Sequence, residues 1–381
     1  MLMPLSIDMY LPSFLAIAND FSVDISQVQL TLSSYVIGFA IGQLFYGPMA
    51  DSLGRKNIII WGVIAFAIAA ALCAMVQSID QLIMLRFFHG LAAASASVVI
   101  SALMRDMFHK EEFSRMMSFV MLVMTIAPLL APIIGGWLLH WFSWHASFWV
   151  ISMTAVLSVF LVFFYIPETL PKEKRQKFHL MTTVRNFVSL FRHRPVICYM
   201  FSGAFAFGGL FSFLTSGPFV YMQFFGVSED HFGFYFAFNI FFMIIMNMIN
   251  TRNVRKAGVD KMIQFGFIVQ LIMALALVVV TQLNVGFIPF VLFVAGAVGC
   301  ISMISSNAMA LILEGFPYMA GTAASLAGVL RFGVGALVGL LLSHLHAESA
   351  WPMVISIFLC CLFSAGFYHL GYYSSKKKTA N

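Results

Sequence analysis

Charge is what this sequence has least of. Asp, Glu, Lys and Arg make up only 9% of it, against about 25% of an ordinary soluble domain. Mean hydropathy is +0.94. With 61% hydrophobic residues the chain cannot hide its apolar side chains from water, so a soluble enzyme or binding module is excluded and the lipid bilayer becomes the expected solvent. Useful cysteine patterns are missing too. Cys73, Cys198, Cys300, Cys360 and Cys361 all stand in apolar runs with no C-x-x-C spacing, so they read as packing residues, with no metal site and no disulfide framework. Neither H-E-x-x-H nor G-x-S-x-G occurs, which argues against a membrane-embedded enzyme. The net charge of +6 could suggest nucleic acid, but its distribution excludes that partner.

What is present is a series of apolar runs, at about 2–18, 30–50, 57–77, 80–104, 116–140, 145–166, 195–224, 231–250, 262–281, 285–313, 317–344 and 350–372. The first follows Met1 with no leader and cleavage site, so it is expected to remain as a helix, at the short end of the ~17–25 residues a span needs. The loops at 19–29, 78–79, 141–144, 225–230, 282–284 and 345–349 hold no Lys or Arg. Of the 21 Lys and Arg residues, all except Arg86 and Arg331 fall in the alternate loops and the tail. That asymmetry predicts cytoplasmic termini by the positive-inside pattern.

The expected fold is an all-α polytopic membrane protein of twelve transmembrane helices in two six-helix bundles, 1–166 and 195–372. A cytoplasmic linker, 167–194, joins them, and a basic tail, 373–381, follows. Pro167-Glu168-Thr169 stops the sixth span, Lys172, Lys174, Arg175 and Lys177 follow, and Val184, Phe187, Val188 and Phe191 repeat at helical spacing. That last piece predicts an amphipathic helix on the anionic inner leaflet.

Chemistry is expected where a charge lies inside lipid. Asp8, in Ser6-Ile7-Asp8-Met9-Tyr10-Leu11-Pro12, is the one carboxylate well within a predicted span, roughly 16 Å from its outer end at 1.5 Å per residue. Intramembrane acids mark ion and substrate pathways, so Asp8 is the candidate proton carrier, with Tyr10 beside it. Arg86 opens the fourth span in Leu85-Arg86-Phe87-Phe88-His89-Gly90 and is expected to couple to Asp8 electrostatically. His89 reads first as a packing residue. Arg331 lies too deep in the eleventh span to reach water and needs a partner. Ala127-Pro128-Leu129-Leu130-Ala131-Pro132-Ile133-Ile134-Gly135-Gly136 combines two helix-kinking prolines with two glycines that admit a close neighbour. Between spans two and three, Gly47-Pro48-Met49-Ala50-Asp51-Ser52-Leu53-Gly54-Arg55-Lys56 is expected to form a tight ten-residue turn, with Gly47 and Gly54 easing its two sides and Arg55 and Lys56 fixing it in the cytoplasm. A weaker echo follows span eight, in Arg252, Arg255, Lys256, Gly258 and Asp260.

The pattern G-x-x-x-D-x-x-G-R-K at Gly47 to Lys56 resembles the loop between helices 2 and 3 of the major facilitator superfamily. Arg86 to Gly90 is similar to that family's R-x-x-Q-G, with His89 in place of glutamine. Pro132 to Gly136 resembles the antiporter motif G-P-x-x-G-G, with Ala131 in place of its first glycine. Together with the Ser6 to Pro12 run and Pro167-Glu168-Thr169, these motifs span essentially the whole chain and resemble the bicyclomycin-resistance branch of the drug:proton antiporters. The resemblance implies efflux of small amphipathic drugs across a bacterial inner membrane, by alternating access and as a monomer. The energy source would be the proton gradient, and no cofactor is expected. An uptake permease is the alternative reading. It would place several polar side chains in its cavity, whereas Phe205, Phe207, Phe211 and Phe213 fill the seventh span, and aromatic faces suit apolar drugs. Asp51, paired with Arg55, is expected to meet the helix N-terminus near Pro317 to Gly321 and to hold the cytoplasmic gate closed, a contact worth up to ~2 kcal/mol.

Overall fold

The computed structural model describes residues 2–108, 110–171, 173, 175, 180–316, 320–345 and 349–379, and among these every regular element is helical. By length and composition, 11 helices can cross a membrane. The first apolar run is not among them because it is broken. α1 (Leu2–Asp8) ends in a turn at Met9 and Tyr10, a single 3-10 turn covers Leu11–Ser13, and α2 (Phe14–Phe21) completes the run. Pro12 explains the break, since its ring nitrogen has no hydrogen to give the Asp8 carbonyl four residues earlier.

The first compact unit comprises Met1–Thr183 and Ser228–Gly233. Its spans are α1 with α2, α3 (Ile25–Leu53), α4 (Arg55–Cys73), α5 (Ile79–Met107), α6 (Lys110–Trp141) and α7 (Trp144–Tyr165). α5 begins on a Ser78 cap whose Oγ accepts the Gln81 N–H at 3.4 Å. α3 and α5 cross closely because a Cβ on Gly38 would strike the Phe87 carbonyl and one on Gly90 would strike the Tyr35 carbonyl. In lipid, where oily surface offers helices no reason to associate, such close backbone packing supplies the attraction. The crossing fixes the height of Arg86 against α3.

The expected ten-residue turn at Gly47 to Lys56 is a single residue. α3 runs on through Gly47 and Pro48 to Leu53, and Gly54 alone reverses the chain, at φ 101 and ψ 144, before α4 starts at Arg55. That backbone region is essentially open to glycine only. Gly47 takes no part in the reversal: it is helical, and a Cβ there would make an ordinary 3.6 Å contact with Val98.

The second unit comprises Val184–Val227 and Phe234–Asn381. After α8 (Leu180–Phe191) come α9 (Arg194–Pro218) with a π-helical turn at Phe219–Phe224, α10 (Glu229–Ala257), α11 (Val259–Gln282), α12 (Phe287–Gly299), α13 (Ile301–Gly315), α14 (Ala320–His344) and α15 (Trp351–Thr379). The first turn of α10 therefore belongs to the first unit. Gly258 repeats the turn at Gly54, with φ 86 and ψ 159 between α10 and α11. The tenth span, read from sequence as one helix, divides at Cys300 into α12 and α13. Hydroxyls tie α9 to α15: Ser364 Oγ donates to the Ser202 carbonyl at 2.7 Å, and Ser212 and Ser356 share a hydrogen bond at 2.7 Å. α8 is the helix expected on the inner leaflet, and Val188 and Phe191 are exposed on it. Lys172, Lys174 and Lys177 lie outside the described residues, as does the side chain of Val184.

Candidate functional site

Asp8 terminates α1 at the break and is 5% exposed, the only buried carboxylate among the described residues. Gly135 of α6 lies directly on that break, so close that a Cβ would collide with the Met9 carbonyl. The adjoining Gly136 leaves 3.0 Å between an added Cβ and the Glu229 carbonyl at the start of α10. Pro128 and Pro132 both lie inside α6, one and two turns before these glycines, and remove two donors from its ladder. The glycine end of the expected antiporter motif and the candidate proton carrier are thus in backbone contact. That juxtaposition links two stretches of sequence more than 120 residues apart.

Arg86 is fully buried in α5 and held by rings. Its guanidinium carbon lies 4.3 Å from the Tyr35 ring centre, 4.7 Å from Tyr10 and 5.7 Å from Phe148. Desolvated contacts of this kind contribute up to ~2 kcal/mol each, which offsets part of the cost of burying the cation. The rings are themselves tethered. Tyr10 OH and Thr31 Oγ1 are 2.6 Å apart. Thr31 gives its proton to the Val28 carbonyl, so Tyr10 donates to Thr31. Ser6 and Tyr35 hydroxyls meet at 2.6 Å.

One turn along α5, His89 Nδ1 lies 3.2 Å from Arg86 Nη1. An arginine only donates, so Nδ1 is the acceptor and the histidine proton resides on Nε2. That Nε2, together with Arg86 Nε and Nη2, has no partner among the described residues. His89 packs against Phe66 at 4.2 Å and Tyr35 at 5.3 Å between ring centres, so it is a packing residue with a further task, tethering the guanidinium.

The expected Asp8–Arg86 pair is not formed directly. No nitrogen of Arg86 approaches Asp8 within the 4.0 Å of an ion pair, and the Asp8 carboxylate has no hydrogen bond among the described residues. The guanidinium is committed to its ring cage and to His89. The ring nearest the guanidinium, Tyr35, is in turn held by Ser6, two residues before Asp8 in α1.

Arg331 in α14 stands over the Phe207 ring at 4.8 Å and the Phe332 ring at 5.9 Å, and its Nε has no partner among the described residues. Rings are what the sequence could not name as its partner. Phe211 is fully buried beside Phe207, whereas Phe205 stacks on Phe367 at 5.5 Å and packs against α15.

At the Gly54 turn the first unit holds a charged network. Arg55 pairs with Asp106 of α5 and, at 3.8 Å, with Asp51. The Arg55 backbone N–H donates to Glu168 Oε1 at 3.0 Å, and Arg175 lies 3.6 Å from Glu168. Lys56 Nζ donates to the Phe163 carbonyl at 2.8 Å. Of Pro317 to Gly321, which the Asp51 gate was expected to meet, residues 317–319 lie outside the described residues. Sequence reasoning missed Glu168 and Asp106 here, and Tyr35, Phe148, Ser6 and Thr31 around Arg86. The hydroxyls Thr31, Ser33, Ser34 and Tyr35 crowding one apolar span were the available signal.

Two helical units whose spans bury charges and glycine crossings define a polytopic membrane transporter. The sequence pattern described as Major Facilitator Superfamily matches residues 1–340, and the chain belongs to that superfamily. It is 45% identical over 373 residues to the bicyclomycin resistance protein homolog of Haemophilus influenzae, covering 98% of this chain and 93% of that one. It is 27% identical over 370 residues to a chloramphenicol resistance protein of Pseudomonas aeruginosa, covering 93% and 84%. Among solved structures, a D-xylose-proton symporter superposes with a TM-score of 0.75 at 15% identity, over 96% of this chain and 95% of that one. At that identity the likeness is one of fold.

Proposed function

We propose that this protein exports small amphipathic drugs in exchange for protons by alternating access, in a bacterial inner membrane and with both termini in the cytoplasm. The observation that carries the reading is Asp8, a buried carboxyl with no ion pair or hydrogen bond among the described residues, at a helix break packed on Gly135 of α6. The names of the relatives supply the class of cargo to test, bicyclomycin and chloramphenicol.

In this mechanism a proton from the outer water binds an Asp8 carboxylate oxygen, crosses with the carrier and leaves to the inner water. The drug crosses the other way while Asp8 is ionised. Arg86 stays charged throughout. Its cage and the His89 tether hold that charge at a fixed distance, so the guanidinium biases Asp8 without neutralising it in a salt bridge. The Gly54 turn, with Asp51 and Arg55 and with Lys56 alongside, is assigned to the conformational cycle, and the Pro128, Pro132, Gly135 and Gly136 stretch of α6 to sealing the helix break. One proton entering per neutral drug leaving supplies about 2.3 kcal/mol per 100 mV, enough for a roughly 50-fold gradient at 1.4 kcal/mol per decade.

Vesicles with an imposed proton gradient test it. Chloramphenicol should move uphill against proton flow, with D-xylose and small carboxylic acids as controls. Uphill movement of a control compound in the same direction as protons would replace this reading with an uptake permease.

A further inference from the structure

At the end of the second unit where α9 and α11 finish and α12 and α15 begin lies a cavity of about 400 Å³. Its walls include Phe224 at the end of the π-helical turn and Phe225 just after it, Phe290 of α12 and Trp351 of α15, with Thr281 and Asn284 supplying polar groups. None of its lining residues is charged. Ring centres in the wall are closely set, with Phe225 5.0 Å from both Phe224 and Phe290. We infer that this cavity is a second binding site, for an uncharged aromatic amphiphile.

Size and lining agree with that class. Small-molecule sites run from about 300 to 1,000 Å³ and pair apolar walls with a few polar groups. Flat aromatic faces from three separate elements suit a ring better than a flexible chain, because ring pairs add directional attraction to the burial of area. The polar handle is Asn284. Its side chain has no partner among the described residues and is exposed at the rim. Its backbone is left-handed, at φ 49, and Gly286 two residues on is at φ 114 with open space where a Cβ would stand. This pair of unusual conformations bends the connection between α11 and α12 around the opening. The π-helical turn that ends at Phe224 and is capped by Phe225 is of a kind frequent at functional sites.

The inference rests on the drug-export reading and adds a place to it. In the proposed orientation this end of the unit faces outward, so the cavity would hold cargo after it has left the interior. Asp8 and Arg86 belong to the other unit, so binding here can be read without them.

Trp351 makes the site observable. The test is a variant retaining Trp351 as its sole tryptophan, purified in detergent and separately reconstituted, and titrated with chloramphenicol, a nitroaromatic quencher. Saturable quenching is expected. Thr281→Phe, which places a ring in the cavity, should weaken it at least tenfold. Asn284→Gly keeps the left-handed turn and should weaken it severalfold. Quenching that is linear in chloramphenicol, or unchanged by Thr281→Phe, overturns the site. Strong quenching by dibrominated phosphatidylcholine that chloramphenicol does not relieve assigns the cavity to lipid chains and overturns it too. Vesicle transport is scored separately. Uphill export without Trp351 quenching removes this site and leaves the export reading standing, whereas saturable quenching without export does the reverse.

Discussion

Arg86 and Arg331 are arginines within apolar helices, one in each unit, and each stands over phenyl or phenol rings. Their surroundings differ in one respect. Arg86 touches side chains that carry polar groups, His89, Tyr10 and Tyr35, while Arg331 is contacted by Phe207 and Phe332 alone among the ring partners described. Burying a cation is costly in either place, yet among the described residues only the first unit also buries a carboxylate. In the proposed mechanism this difference becomes a division of labour, with proton chemistry assigned to the first unit and aromatic surface to the second. The two glycine turns repeat the contrast. Gly54 and Gly258 share nearly one conformation, but a side chain at Gly54 would meet Glu168 and Arg175, while at Gly258 it would meet open space.

The largest expected effect is on coupling. Asp8→Asn should reduce the roughly 50-fold uphill accumulation of drug in energised vesicles to equilibration, while downhill exchange of labelled drug continues. Next come the arginines. Arg86→Lys loses the planar fork that meets the rings and His89, worth about 1–2 kcal/mol, so transport should fall about tenfold or more, with Arg331→Lys changing it less. Equal losses in the two variants would erase the division between units. Thermal melting reads the turns. Gly54→Ala and Gly258→Ala should each cost about 1–3 kcal/mol of backbone strain, with Gly54→Ala the larger because it also displaces Glu168. Smallest is a labelling pattern. Single cysteines at Val23 and Ser228 should react with an impermeant reagent from outside, and cysteines at Arg252 and Ser375 should not.

Much of the fold was legible because lipid permits so few solutions. Without water to satisfy the backbone, each long apolar run had to be a helix, and basic loops alternated with neutral ones. The first run departed from that reading through Pro12, whose missing donor divides it into α1 and α2. The Gly54 turn was overestimated because a helix in lipid tolerates Gly47 and Pro48, so the composition of the stretch suggested more loop than one residue. At the site, Asp8, Arg86, Tyr10 and His89 could be found by asking which polar groups lay within apolar segments. Their geometry could not. Tyr35 and Phe148 reach Arg86 from α3 and α7, and Gly135 reaches Met9 from α6, contacts set by how helices cross and carried by no local pattern. The same holds for Glu168, which stops a helix in sequence and accepts the Arg55 N–H in space.

Proton release on drug binding is the most direct test of the claim that Asp8 carries the coupled proton. Purified protein in a weakly buffered detergent solution, with a pH indicator present, is mixed with chloramphenicol. If the drug binds the form in which Asp8 is ionised, binding displaces its proton. The parent protein should release protons in proportion to the drug bound, and its apparent affinity should weaken as pH falls and the carboxyl is occupied. Asp8→Asn should bind drug with no proton release and no dependence of affinity on pH. Equal proton release from the Asp8→Asn variant and the parent would contradict the account.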